Sequence, residues 1–445
     1  MAGFLDILRS GDWLISSRAR LWAIAVLIAS AGGLVYLVAT SDGLIDYQGR
    51  PLGTDFSNVY AAGTHVLDGN PAAPFDPRLQ HAREQSVFGE KTPFYGWHYP
   101  PFFLAVAAGL ALMPYQLALI VWQGVTLVLY LLAIRMIVSP LIPPPQGEGG
   151  RRSRPGGALA ANTDTPPDRR FAAATLPASQ GGIWLLLALA YPAVFVNLGH
   201  GHNGFLTAAL MGFALIMLDA RPILAGILFG LLAYKPQFGL MIPLVLLATG
   251  RWRTLIAAGA TVAALIVAAT LAFGVEAWRA FFTFAEYTRT IVLETGETGW
   301  HKIQSVFAWA RMWGAPVSLA YAIQAAITLL VAAALIWLWR SPTSYALKAA
   351  ALCLAAILAT PYSLDYDLMV LAPAIAFLTI DGLERDFAPW EKSALAFLWA
   401  VPLVARGVAQ VTFIPLGVIA MMVMFGLILH RAGLLAARGN PVPAR

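Results

Sequence analysis

The sequence predicts an all-α integral membrane protein, a polytopic helical bundle of about 12 transmembrane helices with interfacial helices in its first outer loop. Three observations carry this. Of 445 residues, 59% are hydrophobic and only 12% charged, where a soluble domain carries roughly 25% charged residues. Apolar runs long enough to span a bilayer recur from Leu21 almost to His430, and the mean hydropathy is +0.69. These runs do not alternate apolar and polar residues, which excludes a membrane β-barrel. The net charge of +6 falls in short basic clusters beside apolar runs. That is the pattern of topology determinants, not of a nucleic-acid-binding face. The single cysteine, Cys353, lies in an apolar run. It reads as a small buried hydrophobe, and no intrachain disulfide can form.

Residues 1–20 alternate apolar and charged positions and suit a short helix lying at the interface. The first span follows from Leu21. Arg9, Arg18 and Arg20 precede it, which places the N-terminus in the cytoplasm and the loop 41–100 outside. Phe102 to Met113 is about 12 residues, too short to span at 1.5 Å per residue. It is expected along the outer interface, with Tyr115 to Val138 making the crossing that ends the segment 21–138. The basic, Pro- and Gly-rich stretch 139–182 reads as a disordered cytoplasmic linker. A helical bundle over 183–430 follows, with an outer loop at 274–303 and a second interfacial helix over Gln304 to Ala315. Lys235-Pro236 splits the run Pro222 to Leu247 into two short halves. The tail 431–445 is basic and cytoplasmic, so both termini lie inside.

Under this topology four polar clusters converge on the outer side. The first joins Asp55, Asn58, Tyr60 and His65 to His98-Tyr99-Pro100-Pro101. A carboxylate held this close to a bilayer needs a partner or a task. Asp55 suits a general base, or equally the cap of the helix that follows. The second is Gly199-His200-Gly201-His202-Asn203, a turn whose polar side chains face a cavity. Two His at spacing two with no third ligand nearby do not make a metal site, and no cofactor is expected. The third is Lys235-Pro236-Gln237. A lysine at a helix break in apolar sequence needs an anion: a phosphate, or a carboxylate such as Asp55 or Asp367. The fourth couples His301-Lys302-Ile303-Gln304-Ser305 to Thr360-Pro361-Tyr362-Ser363-Leu364-Asp365-Tyr366-Asp367. Aromatic belts explain its tyrosines but not its two carboxylates.

The order of these residues resembles a known family. Asp55-Phe56-x-x-x-Tyr60-x-Ala62, Gly69-Asn70-Pro71 and Tyr99-Pro100-Pro101 look like the first outer loop of glycosyltransferase family 87. Gly201-His202-Asn203 resembles that family's Gly-Gln-Asn turn. Ala225-Gly226-x-x-x-Gly230-x-x-x-Tyr234-Lys235-Pro236 is similar to its approach to a Lys-Pro break, and Gln304-Ser305 to its Gln-Ser pair. The resemblance runs from Thr54 to Pro373. It departs at 360–367, where Asp365 and Asp367 stand in a segment that often carries His.

The resemblance implies a GT-C-like fold and a hexosyltransferase of the bacterial inner membrane, with its active site facing the periplasm. The donor would be a sugar, mannose by family default, on a polyprenyl phosphate. The acceptor would be an envelope glycan or lipid, and membrane lipids would surround the protein. Asp55 matches the family's base for an inverting transfer. Lys235, His301 and Lys302 would take the donor phosphate. Tyr60, His98, Tyr99, His202, Asn203, Gln304, Asp365 and Asp367 would line the substrates. The rival reading is a secondary transporter or lipid flippase, since broken helices with buried charge also mark transporters. No internal repeat supports it, and the polar residues gather in an outer loop rather than at the midplane.

Overall fold

A computed structural model describes residues 2–139 and 180–437. Most of the linker expected over 139–182, and the end of the expected tail, lie outside the described residues. The described residues form helices joined by turns, with isolated β-bridges and no strand. Six helices are long and apolar enough to cross a membrane: Ser16–Ala39, Tyr115–Val138, Trp252–Glu294, Val317–Arg340, Asp365–Arg385 and Leu416–Leu435. Two bent pairs raise the number to eight. Gly182–Leu189 with Pro192–His200 turns by 48°, and Glu391–Leu403 with Ala405–Thr412 by 77°. The expected count of about 12 also included shorter apolar helices such as Gly204–Met217 and Tyr345–Leu358, each 14 residues. At 1.5 Å per residue these rise about 21 Å, short of a hydrocarbon core of about 30 Å.

The N-terminal boundary shifts. The first span begins at Ser16 rather than Leu21, and the chain before it folds as the helix Ala2–Ser10. That helix docks on Glu391–Ala400. Trp13 Nε1 donates to Ser393 Oγ at 2.8 Å, and Trp390 N–H to the Arg9 carbonyl at 2.8 Å. The loop 41–100 contains two helices, Thr54–Leu67 and Pro77–Phe88. Asp76 caps the second, accepting from Arg78 N–H at 2.9 Å, with Pro77 at its first position. Thr54–Leu67 packs on Leu104–Ala111 at Gly63, where a Cβ would collide with the Ala107 carbonyl. Leu104–Ala111 is short, as expected, and hands over to the full-length helix Tyr115–Val138.

The segment expected as an outer loop at 274–303 is helical as far as Glu294. Within Trp252–Tyr287 the backbone leaves helical geometry at Gly274 (φ 76°, ψ 170°), so two helices meet there at a kink, and the second continues as a π-helix over Thr288–Glu294. The ion pairs Arg279–Glu276 and Arg289–Glu286 lie one turn apart on its exposed side and favour helix. The Lys235-Pro236 break is present, flanked by the 3-10 turns Leu232–Tyr234 and Pro236–Gly239. Tyr345–Leu358, Gly204–Met217 and Leu371–Arg385 are largely buried in the bundle. Cys353 is fully buried there.

Candidate active site

Asp55 does not cap its helix. The cap position belongs to Gly53, in the left-handed region at φ 69°, and Asp55 sits within the first turn. Its carboxylate accepts no backbone hydrogen bond there, though the helix N-terminus still favours its charge. Its carboxylate meets the His200 ring, with Oδ2 3.7 Å from His200 Nδ1. Thr54 Oγ1 lies 2.8 Å from the same nitrogen. Two glycines make this meeting possible. Gly201 has φ 61°, and a Cβ there would lie 2.6 Å from Phe56 Cβ and 3.2 Å from the Gly53 Cα. Only backbone fits where the turn after His200 presses on the start of the Asp55 helix. Burial raises the pKa of Asp55, His200 opposes the rise, and Asp365 adds to it. The side chain keeps 23% exposure, so the carboxylate is accessible as well as desolvated.

The other first-cluster residues divide. Tyr99 Oη lies 3.1 Å from His202 Nε2, and the His202 ring stacks on Tyr366 at 3.4 Å. Gln123 Nε2 fixes the His202 carbonyl at 3.0 Å, while His202 Nδ1 and Asn203 Oδ1 are buried without partners among the described residues. His98 Nδ1 meets Thr288 Oγ1 at 2.9 Å, and burial pushes its pKa down to about 4, so the ring is neutral at pH 7. Tyr60 is turned elsewhere. Its hydroxyl donates to the Met113 carbonyl at 3.0 Å and ties the helix to the end of the next segment.

The two halves of the fourth cluster meet. Gln304 N–H donates to the Ser363 carbonyl at 2.7 Å, beside a bridge between Ile303 and Leu364. The Gln304 amide is buried with both polar atoms unpartnered among the described residues. The two carboxylates take different roles. Asp367 pairs with Lys235 in a buried contact, and its Oδ2 accepts from Leu364 N–H at 2.9 Å. The Lys235 ammonium lies over the Tyr366 ring at 5.2 Å. Of the partners open to Lys235 on sequence, the structure uses Asp367. Asp365 faces Arg406, 3.4 Å away.

Arg406 is a residue that the sequence reading passed over. It lies on Ala405–Thr412, the second half of the 77° bent pair. That helix packs on the turn Trp300–Lys302. His301 and Lys302 are half-buried, with no ion pair or side-chain hydrogen bond among the described residues. Burial and then the Arg406 charge lower the pKa of both, against the opposing pull of Asp365. Burial and the Arg406 charge disfavour the charged forms of His301 and Lys302, so an anion brought beside them would be favoured. His200 was also missed, although its Gly-His-Gly-His-Asn turn stood out.

The family model of glycosyltransferase family 87 matches residues 97–361. The match takes in His98, Tyr99, His202, Asn203, Lys235, His301, Lys302 and Gln304, and leaves Asp55, Asp365, Asp367 and Arg406 outside it. No curated protein and no solved structure matches the chain. With several membrane-length helices and a family match over more than half of its length, the chain is a multi-pass membrane protein that belongs to glycosyltransferase family 87.

Proposed function

We propose that this membrane glycosyltransferase transfers a hexose, mannose by family default, from a polyprenyl-phosphate donor to an envelope glycan or lipid. The transfer occurs at the periplasmic face of the bacterial inner membrane, within a GT-C-like fold and with both termini cytoplasmic. Asp55 is the general base. The observation that carries this is a carboxylate that caps nothing, keeps partial exposure, has its pKa raised by burial, and feels the charges of Lys302 and Arg406, of which Lys302 has no ion-pair partner among the described residues.

Asp55 takes the proton of the acceptor hydroxyl. The acceptor oxygen bonds to the anomeric carbon as the bond from that carbon to the phosphate oxygen breaks, inverting the centre. The polyprenyl phosphate leaves with the electron pair, and the proton stays on Asp55 until solvent takes it. Lys302 and Arg406 meet the growing charge on the phosphate, which positioned cations stabilise, with His301 beside them. Lys235 keeps Asp367 in place rather than binding phosphate. Tyr99, His202, Asn203, Gln304 and His98 line the sugar and acceptor, and Asp365 holds Arg406 until donor arrives.

The test is transfer by purified protein in proteoliposomes. Labelled polyprenyl-phosphate mannose should yield a labelled product with an inverted linkage. Transfer from a nucleotide sugar, with none from any polyprenyl-phosphate sugar, would overturn the reading.

A further inference from the structure

Glu84, on Pro77–Phe88, is fully buried in the outer loop and outside every membrane-length helix. Its Oε2 accepts from Tyr95 N–H at 3.0 Å. Its Oε1 has no partner among the described residues. One turn earlier on the same face, Gln80 is also fully buried, and its Nε2 donates to the Asn58 carbonyl at 3.0 Å. Gln80 Oε1 and Asn58 Oδ1 are unpartnered acceptors. The helix therefore holds two segments at once. Through Gln80 it grips the Asp55 helix one turn beyond Asp55. Through Glu84 it grips the extended chain that runs from Tyr95 to His98 and Tyr99.

We propose that Glu84, in its neutral form, is a positioning residue that sets the spacing between Asp55 and the His98-Tyr99 segment. The unpartnered acceptors support the neutral form. A carboxylic acid has an O–H to give, and Glu84 Oε1, Gln80 Oε1 and Asn58 Oδ1 are acceptors that lack a donor. Burial pushes the acid up to about 8, outweighing the hydrogen bonds from Tyr95 N–H and Gln80 that favour the charged form, and the nearby Asp55 charge adds to the rise.

The charged groups around Glu84 offer it no cation. From the neighbouring helix comes Asp55. Asp46 and Arg50 of the preceding loop, which act on Tyr95, pair with each other. On its own helix Arg83 is turned to Asp68, and the His81 ring meets the Thr92 carbonyl.

The sign follows. A glutamate in the unfolded chain releases its proton near 4.5, whereas Glu84 keeps it to about 8. Its contribution to the folded loop is full below pH 4.5 and is lost as pH rises through 8. The proposal rests on Asp55 acting as described above.

Glu84→Gln mimics the neutral acid and should keep turnover at pH 7 within about twofold. At pH 9, a unit above the buried acid's value, wild-type turnover should fall to roughly a tenth while Glu84→Gln holds its rate, with donor KM alike in both. Hydrogen exchange at the Tyr95 amide supplies a readout independent of sugar transfer. Above pH 8 it should quicken in wild type relative to Glu84→Gln at the same pH. Coincident alkaline limbs and equal Tyr95 exchange overturn the proposal and leave the base untouched. A protein that transfers no sugar at any pH, yet shows the Tyr95 difference, sinks the assigned reaction and retains Glu84 as the pin of this loop.

Discussion

Two lysines in this protein stand near carboxylates, and the two regions around them differ. Lys235 and Asp367 are 5% and 3% exposed and are committed to each other, with Tyr366 beneath the ammonium. Lys302 is half-buried, has no ion-pair partner among the described residues, and shares its surroundings with another cation, Arg406. Arg406, itself 39% exposed, pairs among the described residues with Asp365 alone, at 3.4 Å. The first region is electrically closed and the second is open. A closed pair holds chain segments together, and an open cluster accepts a substrate.

The largest expected effect lies in the closed region. Lys235→Met leaves Asp367 buried and unpaired, which should cost about 3–5 kcal/mol of stability. Thermal denaturation in detergent measures it. A stable Lys235→Met variant that has lost donor affinity would erase the distinction between the two regions.

The open region should behave in the opposite way. Lys302→Gln and Arg406→Gln should each weaken donor binding by about 10–100-fold, the worth of a hydrogen bond to a charged group. The melting temperature of Lys302→Gln should stay close to wild type, whereas Arg406→Gln also unpairs Asp365 and should lower it somewhat. Binding should also weaken with added salt, since the cluster is partly solvated. Equal affinity in both variants would leave these cations as surface charges.

Smallest is Tyr60→Phe. Loss of the hydrogen bond to the Met113 carbonyl should lower stability by about 0.5–1.5 kcal/mol and leave turnover unchanged. A kinetic defect without a stability change would return Tyr60 to the substrate side.

Asp12 and Asp68 flank the first span and are both exposed. Cysteines placed there should label from opposite sides of the membrane, against a background in which Cys353 is buried. Labelling from one side would detach the loop 41–100 from the outer face.

Much of this was legible from local patterns. Lys235-Pro236 announced a break because proline removes a backbone donor, and the break is present. The long loop 41–100 stood out by its charges and paired prolines. The His301–Ser305 and Thr360–Asp367 segments were grouped by sequence, and Gln304 does pair with Ser363.

What escaped depends on contacts between distant segments. His200 reaches Asp55 only because Gly53 and Gly201 let two backbones touch. Arg406 sits 104 positions beyond Lys302 on a helix whose bend brings it back. Glu84 looks like an ordinary solvated charge on a polar helix, and only the packed loop hides it. The start of the expected segment 274–303 was legible, since the helix breaks at Gly274, but the helix that follows to Glu294 was not, because its charges pair one turn apart along it.

The central claim is that Asp55 takes the acceptor proton. Because Gly53 holds the cap position, Asp55→Asn removes a charge and little else from the fold. Loss of a positioned base lowers the rate by about 10²–10⁴-fold. Turnover by Asp55→Asn should fall by that factor, with donor affinity and melting temperature unchanged. The wild-type rate should also decline as pH falls through the raised pKa of Asp55. An Asp55→Asn enzyme that transfers sugar at near the wild-type rate would contradict the account.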